Sequence, residues 1–211
     1  MHLDVWSDIA CPFCYIGSRK LDAALAQRPA LEATVQWRAY ELMPQLPPEG
    51  ISAGQFFEAK FGSDIERVWA HVTALGEEVG LDLHFERQAT APNTRLAHRV
   101  VWLASQQGLG RPAVDALWSG HFVEGADVGD LDVIVGLLDD HATGVDTAEV
   151  RRALADGQGL AEVLDDEATA GRLGFRGVPA FVADGTHALV GAGPMPSFLR
   201  LLDEAAGATP V

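Results

Sequence analysis

The two cysteines of this chain, Cys11 and Cys14, stand three residues apart in SDIACPFCYIG, and no cysteine follows them. The segment before them reads as a strand: Leu3 and Val5 alternate with Asp4, and Trp6 completes a β-favouring run. The segment after them, IGSRKLDAALAQR, places Leu21, Ala24 and Leu25 at helical spacing. TVQWRAY then alternates Val35, Trp37 and Ala39 as a second strand should. A dithiol at the seam between strand and helix of a βαβ unit is the tightest constraint in the sequence. Such a unit demands parallel strands and a right-handed crossover.

Three readings of the pair compete. A structural staple has little to offer, because 211 residues at 48% hydrophobic content can bury a sufficient core. A bridge across a two-residue gap also removes little chain entropy. Structural zinc takes four protein ligands, yet no second C-x-x-C and no paired histidines exist here. Only two copies sharing their pairs across a dimer axis could supply four thiolates.

The redox reading fits the local geometry. Residues three apart on a first helical turn share a face, with Cα atoms about 5–6 Å apart, which a disulfide accepts. Pro12 costs little at the first helical position. Cys11 at the helix end meets unpaired N–H groups and the positive pole of the dipole, which favour thiolate over thiol. The reading makes Cys11 the exposed nucleophile and Cys14, deeper in the helix, the thiol that resolves the mixed disulfide. Phe13 is expected to shape apolar contact with substrate. Asp8 reads as an N-cap rather than a proton-handling carboxylate.

Beyond the second strand, ELMPQLPPEG breaks all periodicity, and from about residue 52 to 158 the pattern is helical. SDIERVWAHVTALGEEVG opens on a capping box from Ser63 to Glu66 and carries Ile65, Val68, Trp69, Val72 and Leu75 as one apolar stripe. Asn93 is the expected N-cap of NTRLAHRVVWLASQQG, on which His98 reads as a satisfied, half-buried histidine rather than a cleft residue. Trp69, Trp102 and Trp118 read as core. The remaining histidines show no metal-ligand spacing.

LAEVLDDEATAGRLG then gives a helix with Leu160, Val163, Leu164 and Leu173 on its apolar side. VPAFVADGTHALVG reads as two short strands around Asp184-Gly185, with Pro179 at a strand start, where its missing donor is tolerated. PMPSFLRLLDEAAG closes the chain as a helix.

Removal of the helical block leaves strand, helix, strand, helix, strand, strand, helix. That is a thioredoxin-type α/β layout, a mixed sheet flanked by helices, with an inserted all-helical domain. The expected boundaries are 1–45 and 159–211 for the thioredoxin-like part and 46–158 for the insertion, which should cover part of the substrate groove.

The net charge of −15, with Lys20 and Lys60 as the only lysines, disfavours a nucleic-acid partner. No stretch reaches the ~20 apolar residues of a membrane span. MHLDVWSDIA lacks the basic and apolar regions of a signal peptide, so the expected location is the cytoplasm. A lone C-x-x-C there is more often catalytic or metal-binding than a lasting bridge.

DVWSDIACPFCYIG, WRAYELMPQLPPEG, APNTRLAHR and GFRGVPAFV, in this order across nearly the whole chain, resemble the DsbA-like oxidoreductases of the FrnE group. The resemblance implies a thioredoxin fold with a helical insertion and thiol–disulfide exchange on protein or small-thiol disulfides. It also implies a cis-proline at Pro179 beside Cys11, with the Val178 backbone free to pair with bound substrate. Pro12, Phe13, Val178 and Pro179 are thus the expected substrate contacts, and Asp8 and His98 the candidate modulators. No cofactor and no metal are expected. Disulfide-containing or dithiol proteins, or glutathione, are the expected redox partners. Two departures matter: Phe13 stands where relatives commonly carry Trp, and a second cysteine pair found in some relatives is missing. DsbA itself carries His in that slot, so a less oxidising couple is expected here. The same fold hosts glutathione-dependent transferases and 2-hydroxychromene-2-carboxylate isomerases, which need no second cysteine; the presence of Cys14 argues against that reading.

Overall fold

The computed structural model describes residues 1–141 and 143–207. It opens with β1 (His2–Ser7), α1 (Pro12–Ala26) and β2 (Thr34–Ala39). The middle of the chain supplies β3 (Ile51–Ser52), α2 (Ala53–Phe61), α3 (Ile65–Glu77), β4 (Thr90–Ala91), α4 (Arg95–Gln106), α5 (Gly110–Ser119), α6 (Leu131–Asp140) and α7 (Thr147–Ala155). The last part adds α8 (Leu160–Arg172), β5 (Ala180–Ala183), β6 (His187–Val190) and α9 (Met195–Ala205). None of the described helices is long and apolar enough to cross a membrane.

The main sheet has the order β2-β1-β5-β6. β1 and β2 run parallel, with Val5 opposite Trp37, whereas β5 is antiparallel to β1 and to β6. The sheet is therefore mixed, as expected from a crossover followed by a hairpin. Period-two alternation sorts its two faces. Leu3, Val5 and Phe181 point into the larger buried cluster with Leu21 of α1 and Phe198 of α9. Trp6, Ala180 and Val182 point the other way, against Ala170 of α8.

Gly17 shows how closely these layers meet. A Cβ there would sit 3.0 Å from the Phe181 ring and 3.1 Å from the Pro179 ring, so only hydrogen lets α1 lie flat on the start of β5.

The inserted segment departs from an all-helical reading at one place. Ile51 and Ser52 pair antiparallel with Ala91 and Thr90, a ladder too short to leave a periodic trace. Its helices join the core of the rest rather than standing apart. One buried cluster runs from Leu3 through Val100, Trp118 and Ile134 to Leu202. The Trp118 ring stacks on Tyr15 of α1 at 5.5 Å and meets Trp37 of β2 edge-on at 5.4 Å.

Three local expectations need correction. α3 begins at Ile65 after a 3₁₀ turn over Gly62–Asp64, so Ser63 is not its cap. Thr94, not Asn93, is the formal N-cap of α4; Asn93 Oδ1 nevertheless accepts the Arg95 N–H at 3.1 Å. On α8 the expected apolar side is largely wrong. Leu160, Leu164 and Leu173 are exposed while Val163 and Ala170 are buried. Polar anchors choose the face: Asp166 Oδ2 accepts the Ala39 N–H at 3.1 Å, Asp166 Oδ1 pairs with Arg38, and the Asp166 carbonyl accepts the Trp6 indole N–H. With these bonds made, residues 163, 166, 167 and 170 turn inward at helical spacing.

Candidate active site

Cys11 is the N-cap residue of α1, with Pro12 at the first helical position. Cys14 lies one turn on, its backbone N–H donating to the Cys11 carbonyl at 3.0 Å, and neither cysteine is bridged. Cys11 was expected to be exposed, but only 4% of its surface is open, because it sits at the floor of a cavity and not on the outer face. Its thiol donates to the Val178 carbonyl at 3.8 Å, and the Val178–Pro179 peptide bond is cis. Pro12 and Phe13 line the same cavity, and Phe13 is exposed beside it.

Cys14 is buried and accepts the Asp8 backbone N–H at 3.4 Å. Burial pushes its thiol well up, and the neighbouring Cys11 sulfur pushes it further. Cys14 therefore stays protonated at neutral pH. Of the two sulfurs, Cys11 is the one placed at the positive end of a helix.

Asp8 is the hub beneath the pair, and it is not a helix cap, since no side chain caps α1. Its carbonyl accepts the Cys11 N–H and the Trp118 indole N–H, both at 3.2 Å. Its carboxylate accepts the N–H of Ala10 at 3.1 Å and that of Leu42 at 2.7 Å. His98 is buried too, contrary to the half-buried, satisfied ring expected. Its Nε2 lies 3.5 Å from Asp8 Oδ1 and makes no well-formed hydrogen bond among the described residues. Both residues thus lie directly behind the cysteines, Asp8 by backbone contact and His98 through Asp8.

Burial by itself would raise the Asp8 carboxyl, but the His98 ring, the Leu42 N–H and the Thr94 hydroxyl outweigh it and hold it below the ordinary 3.8. A carboxyl held low in the folded state lends stability above its unfolded value, and that stability is lost as pH falls through the folded one. Urea midpoints measured from about pH 6 down to pH 3 should therefore decline, and Asp8→Asn should remove that part of the acid dependence.

Hydrogen bonds draw the motif segments together here. Arg95 Nε binds the buried Glu41 at 2.7 Å, and Asn93 Nδ2 donates to the Leu46 carbonyl at 2.8 Å. These bonds tie the start of α4 to the Pro-rich loop after β2, which carries Leu42 and Met43 to the cavity over Cys11.

The cavity measures about 180 Å³. Its far wall comes from α2, α3 and the turns near Phe85 and Phe122. Trp69, expected in the core, lines it, as do Val68 and Val72 from the same stripe. His121 and Lys60 also line it and carried no sequence signal beyond their identity. His121 sits in a π-helical turn over Gly120–Glu124, buried, with Nδ1 3.2 Å from the Ala126 carbonyl. Burial lowers its pKa, so the ring is neutral. QFFEAKFG, which crowds three phenylalanines around Lys60, is the local signal that could have pointed to this wall. No group of three or more His, Cys, Asp or Glu side chains among the described residues could hold a metal.

Comparison with known proteins agrees with this geometry. A family model described as DSBA-like thioredoxin domain matches residues 2–203. The crystal structure of a probable DsbA oxidoreductase from Streptomyces coelicolor superposes with a TM-score of 0.88 at 32% identity, covering 100% of this chain and 92% of that one. The cytosolic disulfide reductase DsbM from Pseudomonas aeruginosa, in a structure with GSH, shares the fold at a TM-score of 0.67 and 20% identity, over 98% of this chain and 96% of that one. The uncharacterized protein YwbO of Bacillus subtilis is 25% identical over 159 residues, 73% of this chain and 72% of its own. A cysteine pair at a strand-to-helix seam, a mixed four-stranded sheet and a family match over almost the full length point one way: the chain belongs to the DSBA-like thioredoxin domain family.

Proposed function

We propose that this protein is a cytoplasmic thiol–disulfide oxidoreductase that works on protein or small-thiol disulfides through Cys11 and Cys14, with glutathione as a redox partner. One observation carries the reading: Cys11 caps the N-terminus of a helix and lines a cavity, while Cys14 waits behind it as a buried thiol.

In the reducing direction, the Cys11 thiolate attacks one sulfur of the substrate disulfide and expels the other as a thiolate. Cys14, losing its proton to solvent or to the departing thiolate, then attacks Cys11 and frees the second thiol. The enzyme ends as the Cys11–Cys14 disulfide, two electrons poorer, and the substrate as two thiols. The reverse sequence oxidises a dithiol. The Val178 carbonyl, which accepts from the Cys11 thiol at rest, is released for a substrate N–H once that proton has gone. Pro12, Phe13 and Pro179 shape the surface on which the substrate sulfur approaches. With Phe13 between the cysteines, the couple is less oxidising than that of relatives with His in that slot.

The test uses Cys14→Ser protein and glutathione disulfide. The expected product is a stable Cys11–glutathione adduct seen by intact mass, without turnover, whereas wild type yields its internal disulfide and two glutathiones. Full turnover by Cys14→Ser would mean a single-thiol mechanism, as in a glutathione-dependent transferase or isomerase.

A further inference from the structure

The cavity over Cys11 has an unusual charge distribution. Apart from the catalytic sulfur, Lys60 is the sole charged side chain among its described lining residues, since His121 is buried and neutral. The Lys60 ammonium stands 5.2 Å from the centre of the Phe56 ring and 5.4 Å from that of Phe61, over aromatic faces rather than against a carboxylate. In a chain of net charge −15 the average field repels a small anion. Here it meets a cation.

The rest of the wall is aromatic: Phe57, Phe61, Trp69, Phe85 and Phe122 all contribute. Aromatic faces favour offset or edge-on contact with another ring. Size narrows the occupant further. A dry cavity of about 150 Å³ holds one benzene ring, so about 180 Å³ has room for a single substituted ring.

We infer that this cavity is a subsite for an aryl thiol or aryl disulfide bearing a carboxylate, with the ring against the aromatic wall, the carboxylate on Lys60 and the sulfur at Cys11. This rests on the redox reading of the cysteine pair and names a substrate class for it. The chemistry balances as above: the aryl disulfide takes two electrons, one aryl thiolate leaves on attack by Cys11 and the second on attack by Cys14. Lys60 is a specificity-determining residue here and takes no part in the bond changes.

The experiment follows thiolate release when reduced protein meets dithiobis(nitrobenzoate), an anionic aryl disulfide, or dithiodipyridine, a neutral one. Lys60→Gln should slow the anionic reagent about tenfold, which corresponds to about 1.4 kcal/mol, and leave the neutral reagent within about twofold. Lys60→Arg should restore the anionic rate. Equal slowing of both reagents, or slowing of neither, overturns the subsite. Failure of wild type to react with either reagent would instead overturn the redox reading itself, and the subsite with it.

Discussion

Cys11→Ser should lower the second-order rate with any disulfide substrate by roughly a thousandfold or more, the order expected when the attacking nucleophile of a covalent mechanism is removed. A serine hydroxyl at this position stays protonated at neutral pH, and the positive end of α1 cannot close so large a gap. Fold and stability should change little by comparison, because the replacement is nearly isosteric. The contrast with Cys14→Ser is the informative part. Loss of Cys11 stops the first attack, whereas loss of Cys14 stops only the release. Stopped-flow thiolate release together with intact mass separates the two. A Cys11→Ser protein that still formed a mixed disulfide through Cys14 would reverse the assigned roles.

Trp118→Ala should be the most damaging single change to the fold away from the cysteines. The side chain is fully buried, stacked on Tyr15 and edge-on to Trp37, so its removal opens a large void between α5, α1 and β2. Large aromatic truncations of this kind cost about 3–5 kcal/mol, a large share of the 5–15 kcal/mol typical of a folded domain. Urea unfolding followed by far-UV circular dichroism measures the loss. Trp118→Phe is the control, because it keeps most of the packing and deletes the indole N–H that Asp8 accepts at 3.2 Å. Its cost should be closer to about 0.5–1.5 kcal/mol, the range for one lost hydrogen bond, since the Asp8 carbonyl keeps the Cys11 N–H. Because the Asp8 carbonyl also receives the Cys11 N–H, the Phe variant should disturb exchange kinetics more than its stability loss alone would suggest.

Legibility in the sequence followed the range of the interaction involved. The βαβ unit, the Asp184-Gly185 hairpin and the place of Cys11 at the head of α1 were all readable, because strand alternation, turn chemistry and the three-residue cysteine spacing act within a few residues. Asp184 and Gly185 both take positive φ, 48° and 69°, the conformation that a tight hairpin turn requires. The exposed face of α8 was misread for the opposite reason. Leu160 and Leu164 satisfy helical periodicity, but Asp166 binds the end of β2, more than a hundred residues earlier, and turns them outward. Asp8 is a similar case. Its position suggested a cap, and only the fold brings His98, Leu42 and Trp118 around it.

The cavity belongs wholly to the second category. Val68, Trp69 and Val72 carry an apolar stripe that core and cavity wall share, and no local rule separates the two. Lys60 is one lysine among ordinary surface charges until α2 places it over Phe56 and Phe61, above Cys11. The sequence by itself located the candidate dithiol, because two cysteines three residues apart at a helix start are confined to a single turn of chain. What the Cys11 sulfur can meet was decided only by tertiary structure, since the walls, the neutral His121 and the cation come from segments that nothing but long-range packing brings together.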